Sequence, residues 1–253
     1  MRVVAVVLFL LTLFTMAYSQ NEQENLVKVK GIVEVYGDIK GKGVVSFFNK
    51  SYGPEPNPEY FMRIPDYVFE LKPDGSFQGE ILRGEYLIGV NFNDTGKRKP
   101  LNVGDYYHIL KETFRFQEKV NDIGVIKISP VKLETFKVKT AIKGVVLDEK
   151  GKPVTDVYVF AFLKEQKTKR PLFISEKTDK EGRFLLRLGG EGIYYLKVRD
   201  LIDRGKPKED SIIGIYGEPD KPETIEIKDG EIKDNVKIRV TTYSKLVKKA
   251  PSN

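Results

Sequence analysis

The sequence predicts an all-β chain of two tandem antiparallel β-sandwiches following a cleaved leader. Three observations carry this. Short apolar segments alternate with period two between turns rich in Gly, Pro and Asp. The pattern occurs twice at matching spacing. No segment after the leader is apolar enough to span a bilayer.

The second copy is the clearer. Ile142, Gly144 and Val146 share one face of a strand, and Val157, Val159 and Ala161 do so after a polar hairpin at Lys150 to Pro153. Gly151 supplies the turn, and Pro153, with no N–H for a ladder, starts the next strand. Asp179 and Gly182 bracket a second turn, after which Phe184, Leu186 and Leu188 alternate with Arg183, Leu185 and Arg187. Gly189, Gly190 and Gly192 turn the chain again, and Tyr194, Leu196 and Val198 form another half-buried strand. Short strands at this spacing indicate a β-sandwich.

These residues carry a resemblance. Ile142, Gly144, Val146, Asp148, Gly151 and Pro153, then Val157 and Val159, then Thr178, Asp179, Gly182 and Phe184, then Gly192, Tyr194, Leu196 and Val198 resemble the carboxypeptidase regulatory-like domain, a transthyretin-like (prealbumin-like) sandwich. The resemblance implies an immunoglobulin-like fold of seven strands and a binding or scaffolding role. It transfers no active-site residue, because the matched positions are core and turn positions.

At the N-terminus, Met1 and Arg2 precede an apolar run from Val3 to Met16 that ends in small or polar residues. This reads as a signal peptide over residues 1–19, with Ala17 and Ser19 suited to the cleavage site. An exported chain with no cysteine has no disulfide framework, so its cores must hold it together.

The strand Val27 to Val35 then sets Val27, Val29, Gly31, Val33 and Val35 against Lys28, Lys30 and Glu34, which reads as an antiparallel strand with one wet side. Gly31 to Val44 repeats the spacing of Gly144 to Val157, and Gly75, Phe77, Gly84 and Tyr86 match Gly182, Phe184, Gly192 and Tyr194. A divergent transthyretin-like sandwich is therefore placed at residues 26–130 and the carboxypeptidase regulatory-like sandwich at 138–243, with a basic disordered tail at 244–253. Between them, Pro130 to Lys139 serves as a short linker without Gly or Ser, which predicts a fixed angle.

The copies differ most in one loop. The first inserts Asn49 to Tyr67, rich in proline and carrying Tyr52, Tyr60, Phe61 and Tyr67, where the second has Lys164 to Pro171 with Lys164, Lys167, Lys169 and Arg170. The aromatic loop suits a partner's side chains or a sugar ring, and the basic tip suits an anion. The plainer readings are rings folded over a sheet edge or domain interface, and a solvated hairpin end. Charge is unevenly shared: residues 20–130 hold 15 Lys/Arg against 16 Asp/Glu, and residues 131–253 hold 27 against 20. The basic half suits an acidic polysaccharide, lipid head groups or an acidic protein. Nucleic acid is disfavoured, because no recognisable binding motif is present.

Catalytic chemistry has little to draw on. His108 is the single histidine and sits in a strand pattern, Cys is absent, and no nucleophile elbow, P-loop or dinucleotide fingerprint occurs. Asp148 with Glu149, and Asp179 with Glu181, lie in turns and lack calcium-loop spacing. No cofactor and no metal is expected. The sequence thus predicts a secreted, extracellular or periplasmic, non-catalytic scaffold that joins a surface protein assembly through a strand edge or the 49–67 loop. The alternative is a polysaccharide- or cell-wall-binding module using the loop tyrosines and the basic tip.

Overall fold

A computed structural model describes residues 25–97, 99–165, 170–202 and 207–249. The expected signal peptide lies outside the described residues. In the first unit, β1 (Leu26–Val35), β2 (Lys42–Asn49), β3 (Tyr67–Glu70), β4 (Ser76–Leu82), β5 (Gly84–Asn93), β6 (Tyr106–Ile109), β7 (Phe114–Phe116), β8 (Val120–Ile128) and β9 (Val131–Lys132) form two sheets. One runs β4-β1-β8 and the other β3-β2-β5-β6-β9, with β7 on β5. They close on a core containing Val29, Phe47, Phe77, Ile81, Tyr86, Ile88 and Ile126.

The second unit contains β10 (Thr140–Leu147), β11 (Tyr158–Leu163), β12 (Phe173–Ile174), β13 (Arg183–Leu188), β14 (Gly192–Arg199), β15 (Ile212–Ile215), β16 (Gly217–Glu218), β17 (Lys221–Pro222), β18 (Thr224–Ile227) and β19 (Ile232–Thr242). It ends in the helix α1 (Tyr243–Lys249). Its strands run β12-β11-β14-β15-β19-β10-β13, with β18 on β14 and a small β16-β17 ribbon apart.

The two units share one register. Gly31 lies opposite Phe77 and Gly144 opposite Phe184. Gly75 and Gly182 take positive φ of 77° and 71° at the same turn, where a Cβ would sit 2.3 Å from the Val33 carbonyl and 2.6 Å from that of Val146. Only glycine meets both demands. Tyr86 donates its hydroxyl to the Leu82 carbonyl and Tyr194 to that of Gly190, at 2.8 and 3.2 Å.

Four features depart from the sequence expectation. First, β1 and β10 are not wholly antiparallel: each pairs antiparallel with one neighbour and parallel with its unit's long C-terminal strand, β8 or β19. The final strand returns from the other sheet and so runs in the direction of the first. Second, the turn at Lys150 to Pro153 closes only as far as the Leu147–Pro153 bridge and the Val154 to Val146 hydrogen bond. The chain then crosses sheets, and β11 pairs with β14.

Third, the bonding of the first unit passes residue 130. Val131 and Lys132 pair with Tyr107 and Tyr106, and Leu133 donates to Asp105. Pro130 divides β8 from β9, whereas β19 is continuous and touches both β10 and β15, closing the second unit's strands into one sheet. Fourth, residues 244–249 are helical, which corrects the expected disorder there. The N–H groups of Tyr243 and Ser244 are taken by the carbonyls of Ser211 and Glu209, and Lys245 reaches Glu149 at 2.9 Å. First-turn donors that otherwise lack partners are thereby satisfied.

Candidate binding surface at the junction of the units

The 49–67 loop begins where β2 ends. The Asn49 side chain accepts from the Ser51 N–H at 2.9 Å, capping a 3-10 turn over Lys50–Tyr52, while the Asn49 N–H donates to Asp66 at 2.8 Å and ties the loop's ends together. Inside the loop, Arg63 donates to the carbonyls of Asn49, Gly53 and Pro54. Its side chain is 1% exposed and stands 3.9 Å from Asp66. Burial lowers the Arg63 pKa to about 10, opposed in part by Asp66. Three carbonyls and one carboxylate hold a charge that would otherwise be costly to bury.

From this base the loop crosses to the second unit. The Ile64 N–H donates to the Leu172 carbonyl at 2.9 Å and the Ile174 N–H donates to that of Met62 at 3.2 Å, so Arg63 bridges Phe173 in antiparallel register. An extended piece of the first unit thus lies along the outer edge of β12. Phe61 stands edge-on to Phe173 with ring centroids 5.4 Å apart and joins the second unit's core. Met62 packs with Phe160 and Ile174. Arg170 reaches back to Asp66 at 3.8 Å.

The linker is fastened to the same place. The Lys137 N–H donates to the Glu59 carbonyl at 2.7 Å, its ammonium pairs with the Glu59 carboxylate at 2.5 Å, and it stands 5.4 Å over the Tyr60 ring. The Lys137 hydrogen bond holds the Glu59 carboxyl below its ordinary pKa. Phe136 lies 3.8 Å from the Arg187 guanidinium, which pairs with Glu176 at 2.6 Å. Arg187, which alternates with Leu186 and Leu188 along β13, is 3% exposed and packs on Phe136 of the linker.

The residues singled out from sequence therefore divide. Phe61 is buried between the units, and Tyr67 accepts from the Leu82 N–H at 3.2 Å beside the first core. Tyr52 and Tyr60 are half-buried, and burial raises the Tyr52 hydroxyl pKa, with Asp66 adding to it. Lys164 is exposed at a turn and Arg170 is half-buried, while Lys167 and Lys169 lie outside the described residues. Beneath the loop a cavity of 60 Å³, bordered by Ser46, Phe48, Met62, Ile64 and Val68, is far below the roughly 300 Å³ of a small-molecule site. His108 sits in β6 with Nδ1 3.2 Å from the Ser129 carbonyl. Among the described residues, no group of three or more His, Cys, Asp or Glu comes together to hold a metal.

Sequence reasoning found the loop but missed Arg63, Asp66 and Phe136. The one available signal was an Arg and an Asp three apart inside an otherwise aromatic and prolyl insertion.

No family model matches the chain, and no curated protein matches it. Among solved structures it is similar to the Bacillus anthracis TIE protein, at 15% identity and TM-score 0.25 over 85% of this chain and 34% of that one. It is also similar to a Streptococcal ancillary pilin, at 15% identity and TM-score 0.24 over 86% of this chain and 63% of that one. A shaft pilin from Lactobacillus rhamnosus GG is matched at 12% identity and TM-score 0.24 over 85% of this chain and 98% of that one. The chain spans about a third of the length of the first of these. Superpositions this loose leave function to be argued from the chain's own geometry.

Proposed function

We propose that the chain is an exported, non-catalytic scaffold whose two transthyretin-like units join a protein assembly outside the cytoplasm by accepting a strand at a sheet edge. The observation that carries this is the seating of Met62 to Ile64 along β12. The second unit already takes an extended segment by backbone pairing, with Phe61 as an apolar anchor. That combination is the physical basis of strand addition, in which main-chain bonds give affinity and pockets give selectivity.

The first unit has an equivalent edge. β3 pairs with β2 as β12 pairs with β11, and it ends its sheet. Leu71 donates to Gly43, and bonding alternates along an antiparallel pair, so the backbone groups of Val68 and Glu70 turn away from β2. The proposed partner supplies an extended segment that pairs there.

The test is affinity capture on the mature chain, residues 20–253, from crosslinked envelope and culture-fluid extracts of its own source. Val68→Pro removes one outward N–H from an edge strand, where proline is tolerated. The wild type and a Tyr52→Ala/Tyr60→Ala variant are expected to retain one stoichiometric protein, and Val68→Pro, checked for fold by circular dichroism, to lose it. Capture unchanged by Val68→Pro would overturn the edge. Retention on polysaccharide alone, lost with the tyrosines, would make the chain a wall-binding module.

A further inference from the structure

The outer faces of the two equivalent layers treat charge differently. On the first unit, Lys30 is paired with Asp122 at 2.9 Å and Lys127 with Glu34 at 3.8 Å, around an apolar contact position where Ile32 stands opposite Val125. On the second unit the corresponding pairs are Val145 opposite Lys237 and Leu147 opposite Arg239. Leu147 stands in the place of Glu34 and Lys237 in that of Val125, while Asp234 keeps the place of Asp122. Lys143, Lys237 and Arg239 make no ion pair among the described residues.

Three of the four acids nearby are already held in ion pairs. Asp179 and Glu181 are both held by Arg183 at 2.8 Å and Glu176 by Arg187 at 2.6 Å, while Asp234 accepts the Asn235 N–H at 2.7 Å and keeps its charge. Three cations therefore lack an ion pair on two adjacent strands, against one unpaired acid, Asp234. Lys237 and Arg239 stand about 7 Å apart along β19, and the neighbouring strand lies about 5 Å away. An open groove of 720 Å³ runs across this face, lined by Lys143, Lys177, Arg183 and Lys237, by the acids Glu176, Asp179 and Asp234, and by apolar residues including Val145 and Leu185.

We infer that this face binds an extended phosphodiester polymer with a short polyol spacer. Anions recurring at the strand's own repeat would meet Arg239, Lys237 and Lys143 in turn, while the spacer carbons lie on Val145 and Leu185. Lys143 and Lys237 ammonium groups serve as point charges for phosphate, and Arg239 adds a planar guanidinium that can take two oxygens of one phosphate. The surrounding charge is complementary, since residues 131–253 carry 27 Lys/Arg against 20 Asp/Glu. The site is separate from the β3 edge, so either holds without the other.

Synthetic poly(glycerol phosphate) is titrated into the mature chain over a salt series. Each neutralised phosphate of a single strand contributes about 0.7 to the slope of log affinity against log salt. Lys143→Gln/Lys237→Gln/Arg239→Gln is expected to reduce that slope by about 2 and to weaken binding roughly tenfold or more at moderate salt. A control triple, Lys111→Gln/Lys119→Gln/Lys132→Gln, removes the same charge from the first unit and is expected to bind as wild type. Equal loss in both triples would reduce the effect to net charge and overturn the site. So would no binding by wild type, or equal affinity for polyglutamate or for monomeric glycerol phosphate.

Discussion

The two units share a register but fill their cores differently. In the first, Phe47 stands at the centre of a ring cluster, 5.6 to 6.3 Å from Phe69, Phe77, Tyr86 and Phe116. Phe47 lies opposite Ile88 on the next strand, and the residue in that place in the second unit is Ala161, opposite Leu196. The second core is otherwise largely aliphatic, and Phe61 from the first unit enters it against Phe173. One unit supplies its own bulk, and the other completes its core with a neighbour's residue. The two units thus divide the work, the large loop of one serving the core of the other.

Substitutions break this comparison in a graded way. Phe47→Ala is expected to cost the first unit about 4 kcal/mol and Phe61→Ala to cost about 3 kcal/mol, following large-to-small core changes. The sharper outcome is which transition moves. In denaturant unfolding followed by hydrogen exchange of each unit, Phe61→Ala is expected to lower protection chiefly in residues 140–242, although the substitution lies in the first unit. Loss confined to residues 26–133 would show that each core stands alone.

Arg63→Met comes next, at about 2 to 3 kcal/mol, because it leaves Asp66 buried and three carbonyls short of a donor. Its signature is proteolysis within the 49–67 loop and a loosened angle between the units, measured by small-angle scattering. The paired hydroxyl deletions are smaller. Tyr86→Phe and Tyr194→Phe should each cost about 1 kcal/mol in thermal unfolding, with Tyr86 the larger because its bond is shorter, at 2.8 against 3.2 Å.

Acid has the mildest effect per group. Glu59, Asp74, Asp94, Asp122, Asp179 and Asp229 are all held below their ordinary pKa, each first by a side-chain hydrogen bond. The unfolded chain binds these protons more readily, so the stability they add is present above the ordinary carboxylate range and is lost as pH falls through and below it. Melting temperature is expected to decline steadily on acidification below about pH 4.5, with Glu59→Gln blunting the decline at the junction. A melting temperature level down to pH 2.5 would remove these contacts from the account.

Much of the fold was legible because its determinants are local. Gly75 and Gly182 at one turn, Tyr86 and Tyr194 at one corner, and the period-two faces of β1, β10 and β14 are properties of single segments. What was not legible depends on segments far apart in the chain. The parallel pairing of first and last strands, the closure of β15 on β19 and the docking of α1 on residues 209–211 are choices among possible partners, and alternation does not rank partners. Arg187 is the clearest case. Alternation places it outward, correctly, but only the position of Phe136, fifty-one residues earlier, decides that this outward side is covered. For the same reason the 49–67 loop carried two readings from sequence, and the location of the β12 edge determines how Phe61 is used.

The parallel pairing also has a mechanical consequence. In the second unit the chain enters along β10 and leaves along β19, which runs beside it in the same direction; in the first, β8 runs so beside β1 before the chain passes into β9. A pull on the two ends therefore slides β10 against β19 across six registered positions, and, once β9 has left β6, β1 against β8 across seven, instead of peeling them apart one at a time. Under tension the bonds of each pair share the load and yield together.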